Sequence, residues 1–293
     1  MLKKDLLISK LDSILGPNVV LKDKEDFLTK LTNMVEDGVS NLQFVTDFDD
    51  TITKHIVGGK CGATSFDVFR GAKTFTQTYS DRVDVCLSKL KDNLFNSKAE
   101  QDQQEEIDSR ICDVYACSVG EKVAIPDIHE AAERIIIPLK DDCKELLSLL
   151  SELKVPLTVV SVGPGEVIEH ILKEYNPKVV ANYVTFKDDV ITDLRQPSVG
   201  MYNKHEFPLP VDADRSNFIV IGDFAWDSKI ADNVKNKKNV LKIGFFYGRR
   251  DDTIKEYLNF FDVLLLHDET MNVPLNILKL VADKTEPNSF HKG

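Results

Sequence analysis

A chain of 293 residues with 42% hydrophobic and 29% charged side chains has the balance of a soluble globular protein, with room for one large domain or a domain carrying an inserted cap. Its 37 basic and 48 acidic residues leave a net charge of −11, which argues against a nucleic-acid backbone as partner. No apolar run reaches the ~18 residues of a membrane span, and the five cysteines contain no C-x-x-C pair, so they indicate reduced thiols in the cytoplasm rather than a disulfide framework or a zinc site.

In chain order, Met1-Leu2-Lys3-Lys4-Asp5-Leu6 lacks the long apolar stretch of a secretory signal. Residues 24–36 read as a helix, with Phe27, Leu28, Leu31 and Val35 on one face. A buried strand at 42–46 then runs into Asp47-Phe48-Asp49-Asp50-Thr51. Two carboxylates two residues apart at a strand end repel unless a cation sits between them. The pair therefore suggests a Mg²⁺ site where one carboxylate attacks phosphorus and the other handles a proton. The alternative is a solvated acidic turn.

About 100 residues separate this strand from the next, far more than a βα loop needs, so a cap is expected between them. Within it 81–94 and 101–115 read as helices, with Val83, Leu87, Leu90 and Leu94 on one stripe. A helix at 141–153 returns the chain to a strand at 157–160 that ends in Ser161-Val162-Gly163. A hydroxyl and exposed N–H groups at such a turn can hold phosphate oxygens, or form an ordinary strand-to-helix turn. The Gly163-x-Gly165 pair is not a dinucleotide fingerprint, since Ile168 stands where a third glycine belongs.

Further strands are expected at 179–184, 218–221, 240–245 and 262–266, with helices at 165–174 and 252–260. The strand at 218–221 ends in Gly222-Asp223-x-x-x-Asp227. Asp223 is a candidate metal ligand. Asp227 is a ligand, an orienter of the ligands, or a helix N-terminal carboxylate. Lys204 stands between the Ser161-Val162-Gly163 turn and the Gly222-Asp223 turn, where an ammonium would neutralise an aspartyl nucleophile and an incoming phosphate. Alternating elements imply a mostly parallel sheet with helices on both faces, its ligand groups at the carboxyl ends of the strands. Residues from 283 on are polar and expected to fray.

Taken in order, D-x-D-x-T, strand-Ser, Lys and G-D-x-x-x-D resemble the haloacid dehalogenase superfamily of phosphohydrolases. Leu42-Gln43-Phe44-Val45-Thr46-Asp47-Phe48-Asp49, Gly59-Lys60-Cys61, Tyr202-Asn203-Lys204-His205, Ile230-Ala231-Asp232, Leu241-Lys242-Ile243-Gly244-Phe245 and Leu266-His267-Asp268-Glu269 narrow the resemblance to the cytosolic pyrimidine 5'-nucleotidase family (type III). It runs from residue 17 to 281 and is loosest over 65–135. The resemblance implies a Rossmann-like α/β core at 1–53 and 137–293, with a mainly α-helical cap of the C1 type at 54–136.

It also implies roles. Asp47 would be the nucleophile of an aspartyl-phosphate mechanism and Asp49 the acid and base. Mg²⁺ would be held by Asp47, the backbone carbonyl of Asp49, and Asp223, with Asp227 close by. Ser161, Val162 or Gly163, and Lys204 would bind phosphate, and Thr51 would order the loop. In the family the cap reads the base through an acid beside an aromatic ring. A loose alignment puts Asp113 and Tyr115 there, although Ile111-Cys112-Asp113-Val114-Tyr115 reads equally as one helical turn with Ile111 and Val114 in its core. Gly59-Lys60-Cys61 touches substrate or is a plain turn. The expected enzyme is a monomeric cytoplasmic nucleotidase acting on small nucleoside monophosphates, CMP, UMP or 7-methyl-GMP. Rival readings are a phosphatase for another small ester, a nucleoside phosphotransferase, and a catalytically silent binding protein.

Overall fold

The computed structural model describes residues 15–90, 98–248 and 252–283. The chain start, Leu94 of the expected cap stripe and the tail from 284 lie outside them. Strand β1 (Val19–Leu21) leads into α1 (Lys24–Asp37). Asp23 begins that helix because its carboxylate accepts the N–H groups of Glu25 and Asp26 at 2.8 and 3.0 Å, donors that a first helical turn leaves without partners. Phe27, Leu28 and Leu31 are buried as their spacing predicts, with Met34 rather than Val35 completing the face.

Strand β2 (Leu42–Thr46) is buried throughout and is followed by a small exposed hairpin, β3 (Ile56–Val57) and β4 (Lys60–Cys61). Four helices come next: α2 (Ser65–Arg70), α3 (Gln77–Leu90), α4 (Gln101–Ala116) and α5 (Ile125–Arg134). The chain then runs through α6 (Cys143–Glu152), β5 (Leu157–Pro164), α7 (Gly165–Ile171) and β6 (Lys178–Asn182). A hairpin, β7 (Val184–Lys187) and β8 (Val190–Leu194), precedes β9 (Asn217–Gly222) and β10 (Asn239–Phe246). The short α8 (Ile254–Tyr257), β11 (Val263–Leu266) and α9 (Asn272–Ala282) end the described chain.

The main sheet has seven strands in the order β1-β11-β10-β9-β2-β5-β6. All neighbours are parallel except β1, which pairs antiparallel with β11 at one edge. Side chains alternate across it, as a two-residue strand period requires. Phe44, Ile219 and Ile221 enter the core beneath α1, α6 and α9, whereas Val45, Phe218 and Val220 enter a smaller core on the other face. Burial on both faces explains why these strands read as continuous apolar runs.

A second large core joins residues of α2 to α5 with Val184, Ile191 and Leu194 of the β7–β8 hairpin and with Met201, Tyr202 and Phe224. The hairpin corrects the expected strand at 179–184. Strand β6 stops at Asn182, whose amide bridges the Val162 and Val199 carbonyls, and Val184 turns away to begin a separate ribbon. Three further differences are small. The helix expected at 165–174 ends at Ile171, that at 252–260 is a single turn at 254–257, and α5 is additional. Among the described residues no helix is long and apolar enough to cross a membrane.

Glu166 lies at the joint between α7 and the hairpin. It is 8% exposed, one carboxylate oxygen accepts the Val184 N–H at 3.0 Å, and the other has no partner among the described residues. Burial pushes its carboxyl up to about 7. Between the ordinary carboxyl range and about pH 7 the folded chain holds a proton here that the unfolded chain has released. The native state therefore loses up to about 3 kcal/mol as the pH rises through that window. Glu166→Gln keeps the Val184 contact without the charge. Its melting temperature relative to the parent chain should rise from about pH 5 to about pH 8 in thermal melts, and a flat difference would contradict this account.

Candidate active site

The sheet order places the ends of β9, β2 and β5 side by side, and with them Asp223, Asp47 and Ser161. After Thr46 the chain makes a tight turn in which the Phe48 carbonyl accepts the N–H groups of Ile52 and Thr53 at 2.9 and 3.2 Å. Phe48 is wholly buried in the main core, so Asp47 and Asp49 flank it at the sheet edge.

Lys204 is 4% exposed and its ammonium bridges two carboxylates, Asp47 Oδ1 at 2.5 Å and Asp227 Oδ1 at 2.7 Å. The other Asp227 oxygen accepts the N–H groups of Asp223 and Phe224 at 3.2 and 2.9 Å. Both Asp227 oxygens are thus engaged in orienting Lys204 and the Asp223 turn. A side chain on Gly222 would place its Cβ 2.2 Å from that of Asp227, so glycine is required there. Thr51 donates to Asp223 Oδ1 at 3.0 Å, and the Tyr257 hydroxyl reaches the Asp223 carbonyl at 3.3 Å.

Carboxylate oxygens of Asp47, Asp223 and Asp227 lie within 4.8 Å of one another. Three carboxylates against one ammonium leave a formal charge of −2 in a buried site. Burial pushes Asp47 well above the usual carboxylate range, with Lys204 opposing the rise and the Asp227 and Asp223 carboxylates adding to it. Burial works against the charge of Lys204, but Asp227 and Asp47 outweigh it and keep the ammonium protonated. A divalent cation fits this donor set, because hard oxygen ligands and an uncompensated double negative charge are what such an ion requires.

Asp49 is held from the start of α2. Ser65 donates to it twice, from its backbone N–H at 2.7 Å and its hydroxyl at 2.5 Å. Burial pushes the Asp49 carboxyl up to about 7, against the pull of both Ser65 bonds. The Ser161 hydroxyl accepts the Gly163 N–H at 3.0 Å, which shapes the turn after β5. A Cβ on Gly163 would meet the Ser65 hydroxyl at 2.0 Å, so only glycine lets that turn pass under α2.

Above these groups opens a cavity of about 240 Å³. Its floor includes Asp47, Asp49, Asp223, Lys204, Ser161, Val162 and Gly163, and its upper walls are Phe66, Leu87, Leu90, Ile111, Val114, Tyr115, Met201 and Phe224. Tyr115 lines this space and its hydroxyl donates to the Val162 carbonyl at 2.8 Å. Asp113 does not. It is exposed on the opposite face of α4, beside Lys89 and Arg110. Residues 111, 114 and 115 share one arc of a helix at about 100° per residue, and 113 points away from it. The expectation that Asp113 reads a base is therefore corrected by helical phase. The Gly59-Lys60-Cys61 stretch is an exposed hairpin that does not line the cavity.

Sequence reasoning missed Ser65 and Phe66. The signal was present in Thr64-Ser65-Phe66-Asp67, a capping box that starts α2 and presents the Ser65 N–H to Asp49. Ser65→Ala should lower turnover about 10- to 100-fold, the value of a hydrogen bond to a charged group, with little change in melting temperature. Unchanged phosphate release would show that the hydroxyl does not steer Asp49.

The family model for pyrimidine 5'-nucleotidase (UMPH-1) matches residues 50–282. The 7-methylguanosine phosphate-specific 5'-nucleotidase of Drosophila melanogaster is 26% identical over 288 residues, covering 92% of this chain and 88% of that protein. The Gallus gallus protein of the same name is 26% identical over 287 residues, covering 91% and 97%. The crystal structure of cytosolic 5'-nucleotidase IIIB bound to cytidine superposes with a TM-score of 0.86 at 23% identity, covering 94% of this chain and 97% of that one. A probable phosphoserine phosphatase from Vibrio cholerae shares the fold more distantly, with a TM-score of 0.53. The chain belongs to the pyrimidine 5'-nucleotidase family of the haloacid dehalogenase superfamily, and it is a phosphoric monoester hydrolase.

Proposed function

We propose that this enzyme hydrolyses nucleoside 5'-monophosphates, with the phosphate against Asp47 and Lys204 and the base in the apolar cavity above. The observation that carries this reading is the Lys204 bridge between Asp47 and Asp227 at the floor of that cavity. In the first step Asp47 attacks phosphorus, the bond to the ribose 5'-oxygen breaks, and Asp49 gives that oxygen a proton. In the second, Asp49 takes a proton from a water that attacks the aspartyl-phosphate, releasing inorganic phosphate and restoring Asp47. A carboxyl at about 7 is suited to both halves of that exchange. Lys204, and N–H groups of the Ser161–Gly163 turn, would hold phosphate oxygens. When bound by Asp47, Asp223 and the Asp49 carbonyl, with Asp227 alongside, Mg²⁺ would neutralise charge on the transferring group.

In this reading residues 54–136 form a cap over a core of 1–53 and 137–293, and the protein acts as a cytoplasmic monomer on a small-molecule nucleotide. The names of the relatives make 7-methyl-GMP, CMP and UMP the first substrates to try. The walls from α3 and α4 are Leu87, Leu90, Ile111, Val114 and Tyr115, and the Tyr115 hydroxyl is already committed to Val162. Base selection then rests on stacking and shape, so discrimination among bases should stay within about 100-fold in kcat/KM.

Phosphate release from CMP, UMP, AMP, GMP and 7-methyl-GMP with Mg²⁺ tests the whole reading. Asp47→Asn should abolish turnover in a folded protein, and Lys204→Met should cost at least about 100-fold. Hydrolysis of an aryl phosphate but of no nucleotide would keep the chemistry and reject the nucleotidase assignment.

A further inference from the structure

A buried lysine that the phosphoryl chemistry leaves unused braces the catalytic turn from behind. Lys140 precedes α6, and its side chain is fully buried. Its ammonium donates to the Tyr247 hydroxyl at 2.5 Å, to Glu269 Oε2 at 3.0 Å and to the Asp268 carbonyl at 3.2 Å. It also lies 4.4 Å from the centre of the Phe245 ring. Three acceptors match the three protons of an ammonium.

Two of these partners reach on to the segment after Asp49. The Tyr247 hydroxyl lies 3.1 Å from the Asp50 carbonyl, as its donor, and also 3.2 Å from that of Asp268. The Glu269 carboxylate accepts the N–H groups of His55 and Ile56 at 3.0 and 3.1 Å. The His55 ring packs on Tyr247 with centroids 4.2 Å apart, and its Nδ1 lies 3.2 Å from Asp50 Oδ1. One ammonium therefore ties down both ends of the turn from Asp50 to Ile56. Asp50 has a φ of 60°, a left-handed conformation that a non-glycine residue keeps only where its surroundings impose it. Apolar packing alone would not call for an ammonium here, since burying one costs more than burying a hydrocarbon chain.

We propose that Lys140 is a positioning residue for phosphoryl transfer, acting through Tyr247 and Glu269 to set where Asp49 stands relative to Asp47. The inference rests on the roles given to those two aspartates above. Asp49 is then fixed from two directions, through its side chain by Ser65 and through the next peptide by the Lys140 brace. Misplacing a reacting group by an ångström can cost about 100-fold in rate without loss of binding.

The test is steady-state kinetics of the full-length protein on the best nucleotide of the substrate panel. Lys140→Met should lower kcat by about 10- to 100-fold with KM within about threefold, and Lys140→Arg should recover part of that loss. Tyr247→Phe removes only the hydroxyl that meets Asp50 and should cost about 10-fold in kcat while the protein stays folded. That variant decides the matter if Lys140→Met fails to fold. A folded Tyr247→Phe with the parent kcat, or a Lys140→Met whose kcat and KM are unchanged, would overturn the proposal. Retained activity in Asp47→Asn would instead overturn the nucleophile assignment on which it rests.

Discussion

The site depends on one buried cation held between two buried anions. Lys204 bridges the buried carboxylates of Asp47 and Asp227, and its ammonium opposes the upward push that burial gives the Asp47 carboxyl. The partners come from separate parts of the chain, β2, the 204 segment and the turn after β9, so the interaction forms only when β9 pairs beside β2. Parallel pairing brings the carboxyl ends of β9, β2 and β5 to one edge, where three loops can share a ligand. The surplus negative charge at that edge is the physical reason that a divalent cation suits the fold.

Much of this was legible in the sequence because the candidate carboxylates and the Ser161 turn sit where a pattern breaks. An apolar strand ending abruptly in Asp47-Phe48-Asp49, Ser161-Val162-Gly163 or Gly222-Asp223 marks both an element boundary and a chemical group. The helical stretch between β2 and β5 offered no such punctuation. Its helices are amphipathic on their own terms, and choosing which face meets the cavity requires the helical phase to within one residue. That is why Asp113 was misplaced while Tyr115, two positions on, lines the cavity. The β7–β8 hairpin was hidden for another reason. The run 179–184 is apolar except at Asn182, and the strand ends there because the Asn182 side chain bonds to Val162 and Val199, distant residues that no local window contains.

Support for the candidate site groups is layered. Ser65 holds Asp49, Thr51 and Tyr257 hold Asp223, and Lys140 with Glu269 and Tyr247 holds the turn between. The contacts join separate segments of the chain, from 16 to 197 residues apart, so none stands alone. The site is ordered by this cross-bracing between segments and not by any single element.

The second core has a consequence for how the chain is made. Helices α2 to α5 bury their shared apolar face against Val184, Ile191, Leu194, Met201 and Tyr202, residues that follow them by many positions. A nascent chain emerging from the ribosome therefore carries these helices with part of that face uncovered until Tyr202 has been synthesised. That face is completed only when the later half of the chain has been made.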